Sequence, residues 1–292
     1  MPEHSLSLEL LNVIRGFYRP GEEELPQLAE VAKLNKLYLA FLRGIGNDVL
    51  QRERAVEEAR FRRYLSNVVD VVEVLKDLRY ALYKFRRPVD HVSVDLDILI
   101  HVDDVPKAVA RLKSIGFRVD VIEPYTVTLR RGDFVVDLYT HPAFAWIVYM
   151  DGQKLLEDCS EDIEVNGIPA RSLTKDAEVV VTAAHATYKE HIVLLLDCLT
   201  INAWLSGKAV RMAEEFMVRE ALDLALHACR AIEGGAAEAP YKIPLPNIAR
   251  LYLEKIAVDP NFRSTASNIM KYLARRKHGA RMVISRLIRR SY

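Results

Sequence analysis

Length, composition and charge bound what this chain can be. Its 292 residues, 50% of them hydrophobic, suffice to bury the core of one mixed domain and part of a second. Because 41 basic residues balance 40 acidic ones, the overall charge excludes a protein drawn to nucleic acid or membrane by its net field.

Cysteine spacing and hydropathy predict the environment of the protein. Cys159, Cys198 and Cys229 lie far apart and lack the paired spacing of a zinc site or a disulfide framework. No apolar run is long enough to cross a bilayer, and residues 1–10 lack the pattern of a signal peptide. We therefore expect a soluble, cytoplasmic protein without a membrane partner.

Hydrophobic periodicity divides the first half of the chain. Residues 6 to about 85 have helical periodicity, and we predict three helices there. After Pro88 apolar and polar residues alternate over 92–100, which predicts a strand. Asp103 and Asp104 are suited to cap a following helix that runs to Lys113 and is ended by Gly116.

Strands and then helices follow. Residues 117–122, 126–130 and 134–139 read as strands, and a second hairpin over 163–171 turns on Asn166 and Gly167. From Leu173 onward the pattern is helical, with Thr174 as the cap of the first helix and a linker rich in glycine, alanine and proline at 233–246. The order of elements predicts an α+β fold.

Two acids on one predicted strand are the first candidates for chemistry. Asp95 and Asp97 project from the same face, about 6 to 7 Å apart along the strand, so both can reach one hard cation. A later strand brings Asp137 between apolar neighbours. Three carboxylates that converge can hold magnesium against the phosphates of a nucleoside triphosphate. The alternative is that Asp95 and Asp97 lie on the solvent face of an edge strand.

These acids and their surroundings resemble a known family. The chain is similar to the uncharacterised nucleotidyltransferase family of the DNA polymerase beta-like nucleotidyltransferase superfamily, over roughly residues 74–205. The resemblance is carried by the run 94–100, then Asp103, Asp104, Ala108, Leu112, Gly116 and Phe117, and by the segments 136–141, 172–176, 184–191 and 196–197.

The resemblance implies a fold and an organisation. It implies a small mixed or antiparallel nucleotidyltransferase sheet with helices, flanked by helices on both sides. Residues 1–87 would form an N-terminal helical region leading into the catalytic domain, residues 88–172 the α/β core, and residues 173–292 a C-terminal helical domain.

The resemblance also implies an activity. It predicts an enzyme that moves a nucleoside monophosphate from a triphosphate such as ATP to a hydroxyl of RNA, protein or a small molecule. Mg²⁺ or Mn²⁺ would be held by the catalytic residues Asp95, Asp97 and Asp137. The residues that would bind the nucleotide are Lys76, Ser93, His185 and Lys189.

One departure from the family pattern supports two rival hypotheses. A glycine usually precedes the acidic strand so that backbone amides can approach the triphosphate, whereas the segment 74–79 places Asp77 there. This favours a catalytically inactive relative that binds nucleotide or RNA. A further alternative, which does not depend on this departure, is a toxin of a toxin–antitoxin pair, a role that related domains have.

The end of the chain is strongly basic. Residues 271–290 contain eight lysines and arginines and no acid, and we predict a basic helix there. One face would dock on the protein, and the other would follow the phosphates of an RNA partner. The alternative is a solvated helix face.

Overall fold

The computed structural model of the chain describes residues 5–46, 50–276 and 279–288. Over these residues helices surround a mixed seven-stranded sheet, which confirms the predicted α+β class. Within the described ranges, no helix is both long enough and apolar enough to span a bilayer. Residues 1–4, on which part of the signal-peptide expectation depends, lie outside these ranges.

The elements are as follows. The helices are α1 (Leu6–Ile14), α2 (Leu25–Leu34), α3 (Tyr38–Gly44), α4 (Gln51–Leu75), α5 (Val105–Ser114), α6 (Gly152–Asp158), α7 (Lys175–Ala184), α8 (Leu195–Trp204), α9 (Gly207–Glu215), α10 (Arg219–Glu233), α11 (Leu245–Val258), α12 (Pro260–Thr265), α13 (Asn268–Arg275) and α14 (Gly279–Ile288). The strands are β1 (Tyr80–Leu82), β2 (Asp95–Ile100), β3 (Arg118–Glu123), β4 (Thr126–Arg131), β5 (Phe134–Tyr139), β6 (Ala143–Phe144), β7 (Ile147–Val148), β8 (Ser160–Val165), β9 (Ile168–Leu173), β10 (Ile192–Val193) and β11 (Tyr241–Lys242). A 3₁₀ turn (Val102–Asp104) precedes α5, and a π-helical turn (His185–Glu190) follows α7.

The main sheet has the strand order β3-β4-β5-β2-β1-β9-β8. The pairs β2–β5 and β1–β9 are parallel and the other pairs are antiparallel. The strands β2 and β5 are therefore central, and their register places Asp97 directly beside Asp137. A solvated edge position for the two acids of β2, the alternative above, is thereby excluded.

Local sequence signals explain much of this fold. Asn166 and Gly167, with φ of 52° and 84°, form the turn of the β8–β9 hairpin, as expected for two residues that tolerate positive φ. Thr174 caps α7 by accepting a hydrogen bond from the amide of Ala177. Gly116 follows α5 with φ of 93°, which confirms the predicted end of that helix.

Three sequence-based expectations about elements were wrong. Residues 6–85 contain four helices, not three, and end in β1, which at three residues is too short to show a period. The strand expected from residue 92 begins at Asp95. The Asp104 side chain does not cap α5; its Oδ2 instead accepts hydrogen bonds from the backbone amide and the Nε of Arg79.

Three apolar clusters hold the elements together. One packs α4 and α5 against the sheet face that carries Leu96 and Ile98. A second packs α7, α9 and α10 against the opposite face, which carries Leu99. In the third, α1, α2 and α3 pack on α8, α10 and α11 through residues such as Leu28 and Ile248. The first helices of the chain therefore share a core with helices from its last third.

A disulfide corrects the expectation from cysteine spacing. Cys198 on α8 and Cys229 on α10 are bonded, with their Cα atoms 5.3 Å apart. The two cysteines are 31 residues apart in sequence, and only the packing of α8 against α10 brings them together. Sequence spacing carries no signal for such a pairing. Cys159 is a free, buried thiol.

The basic tail is not one helix. The chain leaves α13 at Arg276, whose ψ of 115° is extended, and α14 begins at Gly279. Arg276 forms an ion pair with Glu123, and Arg286 forms one with Glu190, so both are engaged within the protein. Lys277, Arg289 and Arg290, which the prediction also included, lie outside the described residues.

Candidate functional site

Three carboxylates converge where β2 and β5 run side by side. Asp95, Asp97 and Asp137 each offer an oxygen, and these oxygens lie within 4.8 Å of one another. The alternation along β2 explains why: Leu96 and Ile98 point into the cluster beneath α4, so the acids point to the other face. Three carboxylate oxygens at this separation are the donor set that a hard divalent cation prefers.

Neighbouring hydroxyls orient two of the acids. Ser93 Oγ donates to Asp95 Oδ1 at 2.6 Å, and the hydroxyl of Thr128 on β4 donates to Asp137 Oδ1. Tyr139 OH lies 3.5 Å from the other oxygen of Asp137. These contacts fix the carboxylate planes on strands that are themselves rigid.

The loop between β1 and β2, residues 83–94, forms one wall of the site. Lys84 has a φ of 55°, a conformation that glycine adopts most readily. Its ammonium forms an ion pair with Asp97 at 2.6 Å, and the two side chains are 13% and 9% exposed. Lys84 therefore neutralises part of the acidic cluster.

A buried carboxyl group on α7 holds this loop. Glu178 accepts hydrogen bonds from the backbone amides of Phe85, at 3.1 Å, and Arg86, at 3.3 Å. Arg87 is held by Thr182 and Thr200, 2.9 and 3.1 Å from its Nη1. The loop is thus tied to α7 and α8 at three consecutive residues.

Burial raises the pKa of Glu178 to about 7, against an ordinary 4.5, although Arg87 and the two amides oppose this. A carboxyl group with a raised folded-state pKa contributes stability at pH below 4.5 that is lost as the pH rises through 7. We expect Glu178→Gln, which keeps an acceptor oxygen for both amides, to remove this loss. The free energy of unfolding, measured by denaturant titration, should fall between pH 5 and pH 8 in the wild type by up to about 3 kcal/mol more than in the variant. If the free energy of unfolding changed equally with pH in the two proteins, the raised pKa of Glu178 would be contradicted.

The π-helical turn after α7 supplies the opposite wall. A π turn inserts one residue into a helix and redirects its side chains, and it recurs at functional sites. His185 Nε2 lies 3.3 Å from Lys84 Nζ and 3.3 Å from Glu190 Oε1, and Lys189 Nζ donates to Tyr139 OH at 3.2 Å. His191 ends the turn in the left-handed conformation, with φ of 56°.

Two further cations near the acids come from segments close to the two ends of the chain. Lys36, between α2 and α3, and Arg286, on α14, both line the cavity above the acids. Arg286 forms an ion pair with Glu190, whose side chain is only 3% exposed. The chain of contacts Asp97–Lys84–His185–Glu190–Arg286 thus connects the acids to the last described helix.

We call this cavity, of about 420 Å³, the triad cleft. Its charged lining is balanced, with five cations facing five acids: Lys36, Lys84, Arg87, Lys189 and Arg286 against Asp95, Asp97, Asp137, Glu190 and Asp197. A bound divalent cation would make the cleft positive, which suits an anionic ligand such as a polyphosphate.

Burial and charge shift the pKa values of these groups in different directions. Burial and the negative charge of Asp97 raise the pKa of Asp137 to about 6. For Asp95 burial acts to raise the pKa, but Lys84, Lys36 and Ser93 outweigh it, so that the pKa is lowered. Burial lowers the pKa of Lys189, and burial together with Lys84 lowers that of His185 well below its ordinary value.

The structure brings most of the predicted site residues together. Ser93, His185 and Lys189 line the triad cleft beside the three acids. Lys76 does not join them. It is exposed at the end of α4, and Tyr80, four residues further on, pairs with Ile100 at the opposite end of β2 from Asp95.

Asp77 also lies away from the cleft, where it pairs with Arg111 of α5. The expectation that Asp77 stands where the family has its phosphate-facing glycine is therefore corrected. The segment that precedes the acids and lines the cleft is residues 83–94, and its residue with positive φ is Lys84. The error arose because β1 was read as the end of a helix.

Sequence reasoning missed several residues of the cleft. Lys36, Arg87 and His91 lie in connections between elements and carried no signal, and Arg286 was expected in the basic tail but not beside the acids of β2. Asp197, part of the segment 196–197 that carries the family resemblance, accepts a hydrogen bond from the amide of Leu194 and so caps α8.

Comparisons with known proteins add little to this geometry. No family model matches the chain, and no curated protein matches it. Among solved structures, it is similar to the solution structure of the antibiotic-resistance factor ANT(2'')-Ia, with 15% identity and a TM-score of 0.33 over 59% of this chain and 94% of that one.

Two further structures give the same TM-score of 0.33. The lincosamide antibiotic adenylyltransferase LnuA, with lincomycin bound, is 16% identical over 49% of this chain and 96% of its own. ANT(2")-Ia in complex with adenylyl-2"-tobramycin is 14% identical over 57% of this chain and 97% of its own. At such TM-scores the function of this chain has to be argued from its own residues.

Proposed function

We propose that the protein is a nucleotidyltransferase that uses a divalent metal to move a nucleoside monophosphate from a triphosphate to a hydroxyl group. The observation that supports this most is the convergence of Asp95, Asp97 and Asp137 on central strands, inside a cleft lined by five cations. Carboxylates alone would bind metal. Carboxylates together with cations suit a metal complex of a polyphosphate.

The chain's own residues divide the work. Asp95 and Asp97 would hold Mg²⁺ or Mn²⁺, and Asp137 would complete the set and accept the proton of the incoming hydroxyl. When bound, the metal would polarise the phosphoryl oxygens and stabilise the negative charge that develops there.

Cations around the acids would bind the phosphates. Lys189 is held at Tyr139, so its ammonium is positioned before a nucleotide arrives, whereas Lys84 would move from Asp97 to the phosphates when metal binds that carboxylate. Fixed cations stabilise the charge of a leaving pyrophosphate at no cost of reorganisation. Ser93, next to Asp95, would donate a hydrogen bond to the same phosphates.

A second candidate is a nucleotide-binding protein without turnover. The observation that favours it is the Lys84–Asp97 ion pair, in which an ammonium occupies one oxygen of a metal ligand. In that case Lys84 would stay on Asp97 with nucleotide bound.

The test is transfer of label from α-labelled nucleoside triphosphates to components of a cell extract, in the presence of Mg²⁺ or Mn²⁺ or of excess chelator. We expect transfer by the wild type only with metal, and none by Asp95→Asn. Triphosphate binding without any transfer would favour the second candidate. Absence of both binding and transfer would rule out both.

A further inference from the structure

A second cavity lies on the other side of the loop that carries Lys84. It has a volume of about 750 Å³, within the range of small-molecule sites, and we call it the aromatic cavity. Its four aromatic side chains come from three separate parts of the chain, namely Phe61 and Tyr64 on α4, Phe85 in the loop and Trp204 at the end of α8.

The aromatic cavity adjoins the triad cleft. Arg87 and His91 line both of them, so the loop 83–94 is a partition with a ligand space on each side. A molecule in the aromatic cavity would therefore be separated from the triad cleft by the loop that carries Arg87 and His91.

Two cations face this space without a carboxylate partner among the residues that the structure describes. Lys175 Nζ lies 5.5 Å from the centre of the Trp204 ring. Arg87 is held through Nη1, but its buried Nε has no hydrogen-bond partner within the described ranges. Because this nitrogen has no accessible surface, an anion in the cavity would be attracted by the charge of Arg87 and not by a hydrogen bond to Nε.

We propose that the aromatic cavity binds the acceptor of the transfer reaction, a small molecule with a planar aromatic ring and an anionic group. This rests on the proposed function, and it names the class of acceptor. The ring would stack on the aromatic side chains, and the anionic group would lie at Lys175 and Arg87. A hydroxyl of the same molecule would reach past Arg87 and His91 to the phosphate, displace pyrophosphate, and pass its proton to Asp137.

The geometry offers a local optical readout. The sequence contains two tryptophans, so Trp146→Phe leaves Trp204 as the sole tryptophan, which can be excited selectively over tyrosine. The probe is 1-anilinonaphthalene-8-sulfonate, an aromatic anion without phosphate, and its uncharged counterpart is N-phenyl-1-naphthylamine. We expect energy transfer from Trp204 to both probes on the Trp146→Phe protein.

Lys175→Gln should raise the Kd of the sulfonate about tenfold and leave that of the uncharged probe unchanged. The matched control is Lys208→Gln, at an exposed lysine on α9 that pairs with Asp176. Identical sulfonate affinities in the two variants would overturn the proposed site.

The acceptor role has its own test. In wild-type protein, saturating sulfonate should abolish label transfer and leave triphosphate binding intact. Transfer that continues under saturating sulfonate would overturn the acceptor assignment while the proposed function stands. Absence of transfer before any probe is added would instead be a failure of the proposed function, and the acceptor proposal would fall with it.

Discussion

Asp97→Asn is expected to lower label transfer by at least about 1000-fold, which corresponds to about 4 kcal/mol of lost transition-state stabilisation. Asp97 pairs in register with Asp137 and lies two residues after Asp95 on β2. Its carboxylate also holds Lys84. The amide removes one metal ligand and releases that ammonium, while its volume stays the same. The measurement is the initial rate of label transfer at saturating triphosphate and metal.

The matched control for this variant is Asp103→Asn. Asp103 follows the same strand but is 73% exposed and pairs weakly with Arg79, at 3.5 Å. Its replacement should leave the rate within about twofold, because exposed ion pairs contribute little. A rate for Asp97→Asn within tenfold of the wild type, in protein with an unchanged thermal transition, would refute a metal-binding role for this residue.

Lys255→Met is expected to lower the free energy of unfolding by about 3 to 5 kcal/mol. The Lys255 and Asp259 side chains are 0% and 4% exposed, and Lys255 Nζ lies 2.8 Å from the carboxylate. The same ammonium donates to the carbonyls of Phe216 and Met217. Methionine would leave a buried carboxylate and two carbonyls without this partner.

The same helix, α11, offers a control with the same spacing. Arg250 and Glu254 also form an i,i+4 pair, but their side chains are 80% and 38% exposed. Arg250→Met should therefore cost less than about 1 kcal/mol in a urea titration. Equal losses in the two variants would mean that burial does not set the strength of the Lys255 pair.

Elements with strong local signals could be predicted from the sequence. The hairpin at Asn166 and Gly167 and the cap at Thr174 depend on a few adjacent residues, and both form as expected. The short strand β1 could not be predicted, because it is stabilised by pairing with β2 and β9. The break after α13 and the Cys198–Cys229 disulfide likewise depend on packing between distant segments.

Only part of the candidate site could likewise be predicted from the sequence. The acids of β2 and β5 could be proposed because each strand shows its alternation, and the parallel register then places Asp97 beside Asp137. The cations at Lys36 and Arg286 reach the triad cleft only through tertiary packing of the chain ends. Because β1 was read as the end of a helix, the segment expected to precede the acids was placed at Lys76 and Asp77 and not at residues 83–94, which line the triad cleft.

The shared core of the first and last helices has a consequence for the order of synthesis. Leu28 and Phe41, in the first part of the chain, are buried against a layer that includes Cys229 and Ile248. During translation from the N-terminus, these apolar surfaces emerge about two hundred residues before their partners. At roughly 5 to 20 residues per second, they stay uncovered for at least about 10 s. During that interval a nascent chain must avoid aggregation through α1, α2 and α3, and Lys36 can reach the triad cleft only after α8, α10 and α11 have been made.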